Sequence, residues 1–173
     1  GDGDLDVIVG SNEFTPKHDS HMSPAVVWND GRGNFNKHNR TNLKIHRKLG
    51  GTPEVSAADL DGDGDLDIVY SRVGYLYVGT AVSIIENLGN KKFKDHGLIH
   101  LLEAPADYVP DHEGNPYNAF ISMIKFRDLD KDGDMDIYLG GSARATNGMV
   151  LLNEGDFNFD LLKPNEAKYL TAK

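Results

Sequence analysis

Along the chain, apolar residues gather in short runs bounded by glycine, asparagine and aspartate, a pattern of strands and turns. "LDVIVG" from Leu5, "LDIVY" from Leu66 and "MDIYLG" from Met135 each emerge from alternating aspartates and are rich in the β-branched and aromatic residues that suit a pleated surface. A second set, "AVVWN" from Ala25, "VSIIEN" from Val82 and "MVLLN" from Met149, runs each time into an Asn-x-Gly turn whose glycine permits a tight hairpin. Another strand is expected after each turn, around Phe35, Phe93 and Phe159, and "EVSAAD" and "FISMIKFRD" supply one before each complete acidic run. The prediction is therefore a series of four-stranded antiparallel meanders in which the acidic run links the first two strands. Helical patterning is confined to "LIHLLE" from Leu98 and the tail "PNEAKYL" from Pro164.

The order of these pieces repeats. Aligned on their Asp-Gly pairs, the acidic runs place Asp2, Asp63 and Asp132 at spacings of 61 and 69 residues. A second motif, Asn-x-Gly-x-x-x-Phe, reads "NDGRGNF" from Asn29, "NLGNKKF" from Asn87 and "NEGDFNF" from Asn153, and its phenylalanines recur at 58 and 66 residues. Two unrelated motifs with one period mark an internal repeat. The expected division is a partial module with a linker over residues 1–52, a complete module with a long loop over 53–118, and a complete module with a tail over 119–173.

Charge adds a chemical clue to this pattern. The three acidic stretches hold 13 of the 27 Asp and Glu residues, and without those thirteen negative charges the formal charge of −9 would become +4. The acidity thus belongs to three small loops. The net negative charge argues against a nucleic-acid footprint, and the absence of cysteine excludes disulfides and thiolate metal sites. No apolar run approaches the ~20 residues of a membrane-spanning helix, and no leader pattern opens the sequence.

Within "DLDGDGDLD", Asp59, Asp61, Asp63, Asp65 and Asp67 stand at positions 1, 3, 5, 7 and 9, and Gly64 at position 6 permits a sharp bend. A hard cation such as Ca²⁺ takes six to eight oxygens at ~2.3–2.6 Å, which short carboxylates and a main-chain carbonyl at position 7 can provide. "DLDKDGDMD" repeats the frame with Asp128, Asp130, Asp132, Asp134 and Asp136. Position 12 is Tyr70 or Leu139, so the closing glutamate of an EF-hand is missing, and no loop carries the histidine or cysteine of a zinc site. Turns alone need one or two aspartates rather than five in alternation, and calcium is the favoured ion. The Asn-x-Gly-x-x-x-Phe motif reads as a hairpin turn with a packing phenylalanine rather than as a ligand site.

"DLDGDGDLDIV" and "DLDKDGDMDIYLG", followed by "NLGNKKF" and "NEGDFNF", resemble FG-GAP/VCBS-type repeats, the calcium-binding blades of β-propellers such as integrin α-subunit heads and bacterial surface proteins. The resemblance implies an all-β chain of about three consecutive blades of a larger propeller, with calcium in the hairpin between the first two strands of a blade. Asp59, Asp61, Asp63, Asp65 and Asp67 would form one site, and Asp128, Asp130, Asp132, Asp134 and Asp136 another. The first copy supplies only positions 4 to 9, so Asp2, Asp4 and Asp6 are expected to make a weak partial site. Three blades do not close a ring, and the remaining blades are expected from a longer chain or from assembly.

Loops that fill only at millimolar calcium point to an extracellular, periplasmic or cell-surface location. The expected function is a calcium-stabilised module for binding or adhesion to a glycan or protein. The face opposite the acidic loops would carry the partner, in the connections "SNEFTPKHDSHMSP", "RTNLKIHRKLGGTPE", "SRVGYLYVGTA" and "EAPADYVPDHEGNPYN". The alternative is part of a propeller-fold polysaccharide-degrading enzyme, with His18, His21, Tyr108 or His112 in acid–base roles. No histidine and acid share a spacing that demands catalysis.

Overall fold

The computed structural model describes residues 3–11, 23–44, 49–109, 116–117, 119–141 and 147–167. Three antiparallel sheets follow one another along the chain. The first contains β1 (Val7–Val9), β2 (Ala25–Asn29) and β3 (Phe35–Asn42). The second contains β4 (Val55–Ala58), β5 (Asp67–Val73), β6 (Thr80–Asn87) and β7 (Phe93–Leu102). The third contains β8 (Ile121–Arg127), β9 (Asp136–Gly141), β10 (Met149–Asn153) and β11 (Phe159–Leu162), followed by one helical turn, α1 (Pro164–Ala167). In each sheet the strands neighbour one another in chain order, as in a meander. The acidic loops join β4 to β5 and β8 to β9, and the Asn-x-Gly turns join the strands that follow.

The second sheet lies between the other two, and strand alternation divides its side chains between them. Ile68, Tyr70 and Ile85 pack with Val26, Leu43 and Trp28 of the first sheet and its exit. Val69, Val82 and Ile84, one position along, pack with Ile121, Ile137, Leu139 and Leu151 of the third. Every residue of β5 is buried as a result, which explains why "DIVYSRV" lacks a solvent face in its sequence. Arg72, fully buried, lies over the ring of Tyr70 at 5.0 Å and donates to the Lys44 carbonyl at 3.3 Å. On the other side, the Ser71 hydroxyl donates to the Ile121 carbonyl at 3.1 Å and Thr80 to the Ala119 carbonyl at 2.6 Å.

Two local expectations need correction. "LIHLLE" is not helical, because Leu98–Leu102 belong to β7 and pair with Thr80–Ser83. Register shifts at Thr80/Ala81 and Ser83/Ile85 displace the strand's two-residue alternation, and that displacement gives its apolar residues a helix-like spacing. "SRVGYLYVGTA" is a shorter connection than expected: β5 runs to Val73, β6 starts at Thr80, and a single 3₁₀ turn at Tyr75–Tyr77 lies between them. The tail helix is one turn at Pro164–Ala167, the rest of "PNEAKYL" lying outside the described residues. Among the described residues, no helix is long and apolar enough to cross a membrane.

Candidate metal centre

The loop between β4 and β5 folds around its own carboxylates. Asp59 accepts from the Gly62 N–H at 2.8 Å and the Gly64 N–H at 3.0 Å, one on each oxygen. Asp61 accepts from Asp63 N–H at 3.1 Å and Asp63 from Asp65 N–H at 2.8 Å. Successive short bonds of this kind are what Asp offers a tight chain reversal. Gly62 and Gly64 take φ of +76° and +92°, the left-handed region that glycine enters without a Cβ clash.

Asp67 closes the loop and opens β5. It is 1% exposed, accepts from the Leu60 N–H at 2.9 Å on one oxygen, and accepts from the Asn87 N–H at 2.8 Å on the other. These contacts bring carboxylate oxygens of Asp59, Asp61 and Asp67 within 4.8 Å of one another. Asp128, Asp130 and Asp136 form the same cluster between β8 and β9. There the Leu129 N–H reaches Asp136 at 2.6 Å, the Asn153 N–H reaches its other oxygen at 2.9 Å, and the Lys131 N–H reaches Asp128 at 2.7 Å.

The electrostatics of these clusters are adverse without a counterion. Burial pushes the carboxyls of Asp67 and Asp136 above the usual carboxylate value, against the opposing pull of their two backbone N–H donors, and crowding by neighbouring aspartates adds to the rise. Burial and the charges of Asp63 and Asp59 likewise raise Asp61. A cation would reverse that balance. Each carboxylate oxygen that accepts one N–H retains capacity for a metal, and an oxygen-only donor set suits a hard cation better than zinc or copper. The residues present therefore fit the calcium ion that the loop spacing implies.

The predicted aspartates do not all occupy equivalent places. Asp63 and Asp132 point along the loop, the latter accepting from the Asp134 N–H at 2.9 Å. At position 7 the side chains lean toward the neighbouring Asn-x-Gly turn: a Cβ built on Gly89 would stand 3.3 Å from Asp65 Oδ2, one on Gly155 3.8 Å from Asp134 Oδ2, and one on Gly31 3.6 Å from Asp4 Oδ2. In the first copy, Asp6 accepts from the Asn29 N–H at 2.8 Å, which repeats the Asp67–Asn87 bond. Asp2 lies outside the described residues, as do His18, His21 and His112. Tyr108 meets the ring of Tyr117 edge-on at 4.9 Å.

Reading the asparagine motif as a turn alone missed half of its role. Asn29, Asn87 and Asn153 each present a backbone N–H to the last loop aspartate, and each donates its side-chain amide to the carbonyl of Leu5, Leu66 or Met135 beside it. The same side chains accept from the glycine region of the hairpin, at Gly33, Gly89 and Gly155. A side-chain amide donates from its nitrogen and accepts on its oxygen, two separate atoms that reach two directions, which a carboxylate or a single hydroxyl oxygen does not offer, so the recurrence of Asn, where Asp or Ser would serve an ordinary turn, was the available signal.

Residues 1–70 match the family described as FG-GAP-like repeat. No curated protein and no solved structure gives a significant match to the chain.

Proposed function

Starting from the FG-GAP-like repeat of residues 1–70, we propose that the chain is a calcium-stabilised segment of a β-propeller that works in binding or adhesion to a glycan or protein. The observation that carries the reading is the pair of buried-to-exposed carboxylate clusters, Asp59, Asp61 and Asp67, then Asp128, Asp130 and Asp136, at equivalent places in successive sheets. The ion would neutralise the loop and fasten the first strand of each sheet to the second. For extracellular-type sites of Kd ~10⁻⁴–10⁻³ M, 1 mM calcium would stabilise the fold by about 0.4–1.4 kcal/mol per site. Such sites fill only where calcium is abundant, which supports a location outside the cytosol.

The partner would meet the end of the sheets away from the metal loops. There the backbone of Tyr77 and Gly79 is hydrogen-bonded to Ala119 and Tyr117, which gathers Tyr75, Tyr77, Tyr117 and Phe120 near one another. Tyr75 and Tyr77 are 45% and 42% exposed, and the Tyr77 ring lies 5.8 Å from that of Phe120. Exposed aromatic rings with polar tips suit sugar or protein surfaces. Titration calorimetry tests the metal half of the proposal: two calcium sites are expected, Asp61→Asn should remove one and spare the other, and a titration with no saturable calcium binding would overturn it. A glycan array and a protein pull-down in calcium, repeated with Tyr75→Ala, test the binding half.

A further inference from the structure

Arg72 on β5 is a buried cation without a counter-charge. Its side chain has 0% exposure, yet the guanidinium donates only from Nη2, to the Lys44 carbonyl at 3.3 Å. Among the described residues, Nε and Nη1 have no acceptor. Burial lowers the pKa of the group only to about 10, so it is charged at neutral pH. The acid whose charge acts on it, Asp95 of β7, is held by Lys44 Nζ at 3.1 Å, and the three residues together leave one positive charge over. Two hydroxyls beside Arg72 are in the same condition. The register sets Tyr70 opposite Ser83 and Arg72 opposite Ala81, so Tyr70, Arg72 and Ser83 share the face of the second sheet that turns to the first. Tyr70 and Ser83 are fully buried, and neither hydroxyl has a partner among the described residues. Burial raises the Tyr70 phenol, which therefore keeps its proton for donation. The group stands at the other end of β5 from Asp67 and toward the β3 and β7 edges, so neither the acidic loops nor the β1 edge forms part of it.

We infer that this part of the interface between the first and second sheets is a binding site for a small monovalent anion such as chloride, held by Arg72 Nε and Nη1 and by the Tyr70 and Ser83 hydroxyls. The unused groups all offer hydrogen: guanidinium nitrogens can only donate, and each hydroxyl can turn its proton to a shared acceptor. Water would satisfy those donors but leave the charge, and an unpaired buried charge is among the costliest features of a fold. An anion answers both. It is monovalent because one positive charge is in surplus, and small because the three donor side chains are neighbours on one fully buried face. The Tyr70 ring covers one face of the guanidinium, 5.0 Å from Cζ, and leaves the in-plane donors Nε and Nη1 for the ligand. Since Arg72 is also bonded to Lys44, which follows β3, the bound anion fastens the second sheet to the exit of the first.

The test uses the whole chain in sodium gluconate with calcium gluconate, a bulky anion that the site should refuse, with chloride replacing gluconate at constant ionic strength. The thermal midpoint should rise and saturate with chloride, and the chloride-35 resonance should show excess broadening that bromide displaces. Tyr70→Phe and Ser83→Ala each remove one hydroxyl and little volume. Each should raise the half-saturating chloride concentration about tenfold or more, the loss expected for a hydrogen bond to a charged group. Arg72→Met should abolish both responses, and Lys37→Met, which removes an exposed cation, should change neither. If Arg72→Met does not fold, the two hydroxyl variants decide. A parent chain with no saturable response to chloride overturns the inference, because water or a carboxylate of the chain would then satisfy Arg72. So does an unchanged half-saturation in either hydroxyl variant. Calcium binding is measured separately in gluconate, and its failure would leave the chloride response intact.

Discussion

Asn153→Ala probes the seam between the second and third sheets at its most connected residue. The native amide donates to Leu60 O at 2.7 Å and Met135 O at 3.3 Å, and its oxygen accepts from Gly155 N–H at 3.1 Å, all from a side chain with 0% exposure. Truncation strands the Leu60 carbonyl inside the seam, where an unpaired buried polar group costs about 1–3 kcal/mol. The longer bond to Met135 lies beside a 42% exposed side chain, so water can replace it at small cost. The expected loss is about 2–4 kcal/mol, which for a chain of this size lowers the thermal midpoint by roughly 4–16 °C. Asn29→Ala is the internal control. It has the same motif but donates to the carbonyl of the exposed Leu5 at 3.1 Å and crosses no seam, so its cost should stay below about 1 kcal/mol. Urea unfolding followed by circular dichroism, at fixed calcium, measures both. Equal losses within about 0.5 kcal/mol would refute the reasoning, because the seam bond would then contribute nothing beyond the turn. Asn153→Asp keeps the shape but turns an oxygen toward two carbonyls, and it should be at least as destabilising as alanine.

Other outcomes follow from the same geometry. Leu60→Ala should cost about 2–5 kcal/mol in chemical denaturation, while Leu66→Ala, at a side chain 60% exposed, should fall within about 0.5 kcal/mol of the parent. Gly89→Ala, at φ +69° with Asp65 Oδ2 3.3 Å from the new methyl, should lose about 1–2 kcal/mol, and a stabilised variant would contradict the backbone assignment. In chelator, Asp67 has a folded pKa raised above 3.8, so its protonated form favours folding and that advantage disappears as pH rises through the folded value. Asp67→Asn, which cannot ionise, should therefore gain on the parent as pH is raised from about 4 without calcium and lose that gain when calcium is restored. Parallel pH curves would show that ionisation of Asp67 does not load the fold.

The strands were readable because their alternation is local: "AVVWN" and "MVLLN" coincide with β2 and β10 residue for residue. The acidic loops were readable for the same reason, and the resemblance they carry is borne out over residues 1–70. What equal spacing could not do was rank five aspartates. Asp67 differs from Asp63 because it is the first residue of β5 and turns inward under Leu60 and Asn87, a distinction that exists only after the hairpin has closed. Leu60 was missed on similar grounds, since a leucine between two carboxylates looks like a solvent residue until a neighbouring sheet covers it. In β7 the bulges broke the alternation on which the strand reading depends, and "LIHLLE" consequently resembled a helix.

Leu60 sits on the loop of one sheet and in the core of the next, and Asn153 holds it there from the far side. That arrangement makes the loop of one sheet and the hairpin of the next a single coupled unit. A disturbance of the β4–β5 loop reaches the hairpin after β10, and a disturbance of that hairpin reaches the loop by the same free energy. Occupancy of the β4–β5 loop would therefore be felt across the seam as well as within its own sheet.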